Sequence, residues 1–97
     1  MMKYLYLLQL LSCKRDTIPV LSSTKEFESF SIAADNAEKE ARAFFAFRQN
    51  DAMLNNKPLP VFHCNDDPDD PDTNLLYWVT GYKFSNYWFI SEIQIEK

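Results

Sequence analysis

The run from Tyr4 to Leu11 is apolar on both of the faces that a β-strand presents. Alternate side chains of a strand point to opposite faces, and here both faces carry leucine, with tyrosine on one of them and Gln9 as the polar exception on the other. The run is far shorter than the roughly 20 apolar residues that a membrane span needs. It therefore predicts a central strand of a sheet.

Downstream of this run, the pattern predicts a second strand and then one helix. Thr17–Leu21 can be extended but carries a proline, so it suits an edge, and Ser22–Lys25 is expected to be loop. Glu26–Ala33 alternates in part and is predicted as a second strand antiparallel to the first. Asp35 and Glu38 have the spacing of a capping box, which predicts a helix from Asp35 to about Asn50. Its expected apolar stripe is Ala37, Ala41, Phe44, Phe45 and Phe47.

The C-terminal part of the chain is rich in strand formers. Pro58 and Pro60 end the helix, and three strands are then expected, namely Val61–Cys64, Leu75–Tyr82 and Tyr87–Glu96. The predicted order is β-β-α-β-β-β. This order indicates an α+β fold, a mainly antiparallel sheet with one amphipathic helix packed on one face. With 97 residues the chain is expected to form a single domain, residues 1–97.

Glycine content and charge narrow the classes of function. The chain has one glycine, Gly81, so none of the glycine-rich phosphate loops or nucleophile elbows can be present. Its net charge is −4, and five aspartates fall within the seven residues from Asp66 to Asp72. The lysines and arginines are scattered along the sequence, so we expect no direct nucleic-acid binding. An acidic segment of this kind favours a protein partner with a basic surface.

Seven aromatic residues lie between Tyr77 and Phe89, more than one face of a hairpin can bury. If Leu75, Tyr77 and Val79 face the helix, then Trp78 and Tyr82, with Trp88 beside them, lie on the opposite face and can anchor a protein partner. Within the last strand, Tyr87 and Phe89 share one face and Trp88 lies on the other. The alternatives are a second small apolar cluster or a homodimer interface. The predicted partner-binding residues are Asp66, Asp67, Asp69, Asp70, Asp72, Trp78, Tyr82 and Trp88.

An enzyme is the alternative from another class. His63 and Cys64, followed by the aspartates, are the only concentration of metal-binding side chains. One histidine and two distant cysteines do not match a zinc site, and the aspartates lack the glycine and the late glutamate of a calcium loop. His63 and Cys64 are neighbours on a strand and point to opposite faces, whereas Cys13 could reach His63 only through the fold. We therefore assign no catalytic residue, metal ligand or cofactor, and expect a protein that is not an enzyme.

A third alternative comes from the N-terminus. Lys3 precedes the apolar run and the sequence Leu-Leu-Ser-Cys ends it at Cys13, a pattern typical of a secretory leader or a lipid-attachment site. A secreted or lipid-anchored domain could carry a disulfide between Cys13 and Cys64. Because two thiols are common in reduced intracellular domains, we expect instead a cytoplasmic protein of a bacterial host cell, with no membrane association.

The stretch from Tyr4 to Phe47, with its entry into the helix at Ala33–Ala41, resembles small proteins of bacteriophages and mobile elements, among them some anti-CRISPR inhibitors. The resemblance is a ββα pattern and carries no functional residue over to this chain. It implies a non-enzymatic inhibitor that binds a host defence complex, a nucleic-acid-handling assembly, often through acidic surface that imitates phosphate. The aspartates from Asp66 to Asp72 are consistent with that mode of binding.

Overall fold

A computed structural model describes residues 2–65 and 74–96. It has an α+β fold, as predicted, in which one helix packs on one face of an antiparallel sheet with the strand order β2-β1-β5-β4-β3. The elements are β1 (Met2–Lys14), β2 (Val20–Phe27), α1 (Phe30–Leu54), β3 (Val61–Cys64), β4 (Leu75–Gly81) and β5 (Phe84–Glu96).

The ladder between β1 and β5 organises the sheet. It joins Met2 to Glu96 at one end and Lys14 to Phe84 at the other, so all thirteen residues of each strand are paired. At about 3.3 Å per residue this ladder is roughly 40 Å long. Because β1 also pairs with β2, it is an interior strand, which confirms the prediction from its apolar run.

Helix α1 approaches the sheet through a stripe of alanines. Ala33, Ala37 and Ala41 follow one another at intervals of four residues and are fully buried. Their small side chains bring the helix close to Leu8 and Trp88, which are among the residues that form the core. No helix in the described part of the chain is both long and apolar enough to cross a membrane.

The predicted apolar stripe of the helix is correct except at its C-terminal end. Phe44 and Phe45 are half-buried and pack against the core. Phe47 was expected to join them but is 69% exposed. Arg48, four residues after Phe44, lies over the Phe44 ring in its place.

The second strand and the start of the helix differ from the prediction. The strand β2 is Val20–Phe27, so the predicted strand Glu26–Ala33 and the predicted loop over residues 22–25 are both wrong. Helix α1 begins at Phe30, with Ser29 as its N-cap, and not at Asp35. This early start lets Ala33 extend the buried stripe. A salt bridge links β2 to the helix, with Lys25 Nζ 3.2 Å from Glu40 Oε2.

Candidate functional site

The sheet has one face covered by α1 and one face to which the described chain contributes no helix. Because side chains alternate along strands, the odd-numbered residues of β1 and β5 lie on this second face, which we call the open face. Most of its large side chains are half-buried by their neighbours in the sheet, although Ile93 is 42% exposed. Its apolar and aromatic residues include Leu5, Leu7, Leu11, Leu75, Trp78, Tyr87, Phe89 and Ile93, with His63 beside them.

A row of paired residues crosses the open face over four strands. Leu11 pairs with Tyr87, Tyr87 with Trp78, and Trp78 with His63. The rings of His63 and Trp78 are stacked, 5.0 Å apart between centroids and 4° from parallel. The Nε2 atom of His63 is 3.0 Å from Thr80 Oγ1, a hydrogen bond that fixes the orientation of the imidazole. The row therefore presents rings whose orientation is fixed by their neighbours, with little side-chain freedom left to lose on binding.

The three aromatic residues predicted to bind a partner lie in three different places. Trp78 is on the open face, as the alternation predicted. Tyr82 is 50% exposed, in the two-residue turn between β4 and β5. Trp88 is 1% exposed, and its ring lies 5.8 Å from that of Phe44 on the helix. The prediction that Trp88 lies on the exposed side is therefore wrong, because its strand partner Leu10 faces the helix.

The face of Leu75 was also predicted wrongly. Tyr77 and Val79 face the helix as expected, but a register shift between Leu75 and Tyr77 leaves Leu76 unpaired in the ladder. Leu76 packs against the core, and Leu75 pairs with Phe89 on the open face. A bulge of this kind inserts one residue and reverses the alternation before it.

The aspartates of the predicted acidic surface, Asp66, Asp67, Asp69, Asp70 and Asp72, lie outside the described residues. In the chain they connect β3 to β4, the two strands that carry His63 and Trp78. Asp66 follows His63 by three residues.

The thiols are placed apart from each other and from the histidine. Cys13 and Cys64 are both free. They lie on β1 and β3, which are separated by two strands and hence by roughly 14 Å. A disulfide needs Cα atoms within about 7 Å, so the alternative of a Cys13–Cys64 bridge is wrong for this fold. Cys64 pairs with Tyr77 on the covered side, opposite to His63, as the alternation predicted. Residues 2–65 and 74–96 contain no group of three His, Cys, Asp or Glu that could hold a metal.

A cavity of about 450 Å³ lies at the end of the sheet where β1 ends and β5 begins, beside the last turn of α1. We call it the basic cavity because four of its lining residues are cationic and one is acidic. The cations come from four separate segments of the chain, so the sequence, in which they look scattered, did not reveal it. Its charged residues are Lys14, Arg48, Lys57, Lys83 and Asp51.

Arg48 is held in the wall of the basic cavity by aromatic rings. Its guanidinium carbon is 4.5 Å from the ring centroid of Phe84 and 5.3 Å from that of Phe44. Its Nε atom is buried and has no hydrogen-bond partner among the described residues. Cation–π contacts of this kind are worth about 0.5–2 kcal/mol and position the charge without neutralising it.

On the covered side of the sheet, Tyr77 of β4 contacts the helix through its hydroxyl. The hydroxyl of Tyr77 donates a hydrogen bond to Glu38 Oε2 at 3.4 Å. Burial, followed by the negative charge of Glu38, raises the pKa of Tyr77 above its ordinary value. This contact joins β4 to α1 at the core. It is part of neither the open face nor the basic cavity.

Comparisons of the chain with models of known protein families, with curated proteins and with solved structures find no match.

Proposed function

We propose that this chain is a non-enzymatic protein-binding module that contacts its partner through the open face. The observation that supports this proposal is the row of Leu11, Tyr87, Trp78 and His63 on a sheet face without a covering helix. Aromatic anchors surrounded by aliphatic side chains are the usual composition of a binding hot spot. A face with large apolar patches is also unfavourable to leave in water.

The proposed partner has a basic surface. The chain carries a net charge of −4, and the aspartates from Asp66 to Asp72 are inserted between the two strands that hold Trp78 and His63. Opposite charge around an apolar contact speeds association and fixes the register of binding. In its more specific form, the proposal is an inhibitor encoded by a phage, acting in the bacterial cytoplasm on a nucleic-acid-handling defence complex.

The first experiment compares tagged wild-type protein with two alanine variants in affinity purification from a bacterial lysate. Trp78→Ala removes the centre of the open face, and Phe47→Ala removes an exposed aromatic on the helix as a matched control. We expect a stoichiometric partner that Phe47→Ala retains and Trp78→Ala loses, and that binds again when both proteins are purified. Equal retention by wild type and Trp78→Ala would contradict the assignment of the open face.

Light scattering of the purified protein tests the homodimer alternative. If the wild type is a dimer and Trp78→Ala is a monomer, the open face is a self-interface and the proposal of a separate partner is wrong. A monomeric wild type is the expected result.

A phage-infection assay tests the more specific form. Cells with an active CRISPR-type defence are infected while they express the wild type, Trp78→Ala, or a variant with Asp66, Asp67, Asp69 and Asp70 changed to Asn. If the protein inhibits the defence, plaques should be restored with the wild type, absent with Trp78→Ala and fewer with the asparagine variant. The complex of the asparagine variant with its partner should also lose its sensitivity to salt. Absence of plaques with a wild-type protein that still binds its partner would refute the inhibitor and leave the binding module standing.

A further inference from the structure

We propose that the basic cavity binds a small phosphorylated molecule with a flat ring, the chemistry of a nucleoside monophosphate. This inference concerns the end of the molecule at the β4–β5 turn and does not depend on the proposed function of the open face.

The basic cavity has an excess of positive charge, which favours an anionic ligand. Its one carboxylate, Asp51, is engaged by Asn55 Nδ2 at 3.0 Å and by Lys57 Nζ at 3.9 Å. Lys14, Arg48 and Lys83 make no ion pair with any described residue. The C-terminus of α1 contributes about half a negative charge, which three uncompensated cations outweigh. The cavity therefore attracts a ligand with one or two negative charges.

Arg48 is the residue best prepared for a phosphate. Phe84 and Phe44 hold its guanidinium in place at the wall of the cavity. A planar guanidinium offers donors that match phosphate oxygens in pairs. Positioning by aromatic rings reduces the entropy that the side chain would otherwise lose on binding.

The size and the walls of the basic cavity indicate more than a bare phosphate. About 450 Å³ lies in the range of small-molecule sites. Beside the cations, the walls are formed by Pro58, Pro60, Tyr82 and Phe84. The ring of Tyr82 is half-exposed, and Lys83 Nζ lies over it, 4.9 Å from its centroid. A ligand with a phosphate at one end and a planar ring at the other would use both kinds of surface.

The conformation of Lys83 provides a test that separates binding from stability. Its φ of 69° lies in the left-handed region that favours glycine. Lys83→Gly should therefore relieve backbone strain while it removes a cation from the cavity. We expect this variant to unfold at a higher urea concentration than the wild type and to bind the ligand more weakly. A residue with a purely structural role would not change stability and binding in opposite directions.

The experiment is calorimetric titration of the full chain with adenosine monophosphate, ribose 5-phosphate, adenosine and inorganic phosphate. We expect the monophosphate to bind most tightly and adenosine not at all, with affinity falling as salt rises from about 50 to about 300 mM. Lys14→Gln and Lys83→Gly should each weaken binding roughly fivefold. Lys39→Gln, an exposed cation on α1 outside the cavity, should leave it unchanged.

Three results would overturn the proposal. The first is no heat with adenosine monophosphate at several millimolar. The second is equal weakening by Lys39→Gln and Lys14→Gln, which would indicate general attraction of anions. The third is much tighter binding of a single-stranded oligonucleotide than of the monophosphate, which would assign the cavity to nucleic acid.

Discussion

At the scale of single residues, the two tryptophans occupy opposite faces of the sheet. Trp88 is enclosed between the sheet and α1, whereas Trp78 lies on the open face against His63. Replacing Trp88 by Ala leaves a cavity in the core and should lower the free energy of unfolding by about 3–5 kcal/mol. Replacing Trp78 by Ala removes cross-strand contacts and should lower it by only about 1 kcal/mol. Urea denaturation of the two variants measures the difference.

Fluorescence provides a control for this assignment that does not depend on stability. Trp88→Phe leaves Trp78 as the only indole, and Trp78→Phe leaves Trp88. Emission from the first variant should be quenched strongly by acrylamide and emission from the second weakly. The opposite order would mean that the two faces of β4 and β5 are assigned the wrong way round.

The raised pKa of Tyr77 predicts that the protein loses stability at alkaline pH. Because its pKa in the folded protein is raised above 10.0, the unfolded chain releases this proton first as the pH increases. The stabilising contribution is complete below pH 10 and is lost as the pH rises through the folded pKa. Tyr77→Phe should therefore make the free energy of unfolding fall less steeply above pH 10. The control is Tyr82→Phe in the exposed turn, and a slope changed as much by Tyr82→Phe would contradict the prediction.

Alternation along single strands was predictable residue by residue, but the choice of covered face was not. The sequence correctly separates Tyr87 and Phe89 from Trp88. Both sets are apolar enough to form a core, so nothing local decides which one the helix covers. In the structure, α1 covers the face on which Leu8 and Leu10 meet Ile90 and Trp88.

At the scale of elements, the distance between helix and sheet is set by the alanine stripe of α1. Ala37 is fully buried in the middle of this stripe, and Ala43 is exposed on the same helix. Ala37→Leu forces extra volume into a packed interface and should lower the free energy of unfolding by about 1–3 kcal/mol. Ala43→Leu is chemically the same change and should alter it by less than about 0.5 kcal/mol. Equal effects in urea denaturation would be incompatible with this packing.

The same interface explains why β2 and the helix start were predicted incorrectly. The capping-box spacing of Asp35 and Glu38 is a local signal, but the helix begins directly after Ser29, a start that also buries Ala33. β2 has a mostly polar sequence that does not alternate in hydrophobicity. It forms as an edge strand because β1 offers it backbone partners and Phe27 reaches the core. Both outcomes depend on contacts between segments, which a local pattern does not contain.

At the scale of the whole molecule, the two candidate sites differ in how they could be predicted. The open face follows from strand alternation once the covered side is known, and Trp78 was predicted on it. The basic cavity could not be predicted, because β1, α1, the segment before β3 and the β4–β5 turn each supply one cation. Only the topology brings these four segments to the same end of the sheet.

If the open face and the basic cavity are separate sites, their variants should affect different ligands. Trp78→Ala should abolish retention of the protein partner and leave the affinity for adenosine monophosphate within about twofold of the wild type. Lys14→Gln should weaken binding of the monophosphate and leave the protein partner bound. Substitutions without shared contacts are close to additive, so the double variant should show both losses in the same size.

Pull-down and calorimetry on the same four proteins measure this pattern. A monophosphate affinity that falls with Trp78→Ala would show that the two sites communicate through β4, which runs from Trp78 on the open face to the turn that carries Tyr82 and Lys83. Separate losses are expected because Trp78 is fixed by cross-strand pairs with Tyr87 and His63, whereas the cavity is built from side chains at the ends of strands. One sheet would then support protein binding on its face and anion binding at its end.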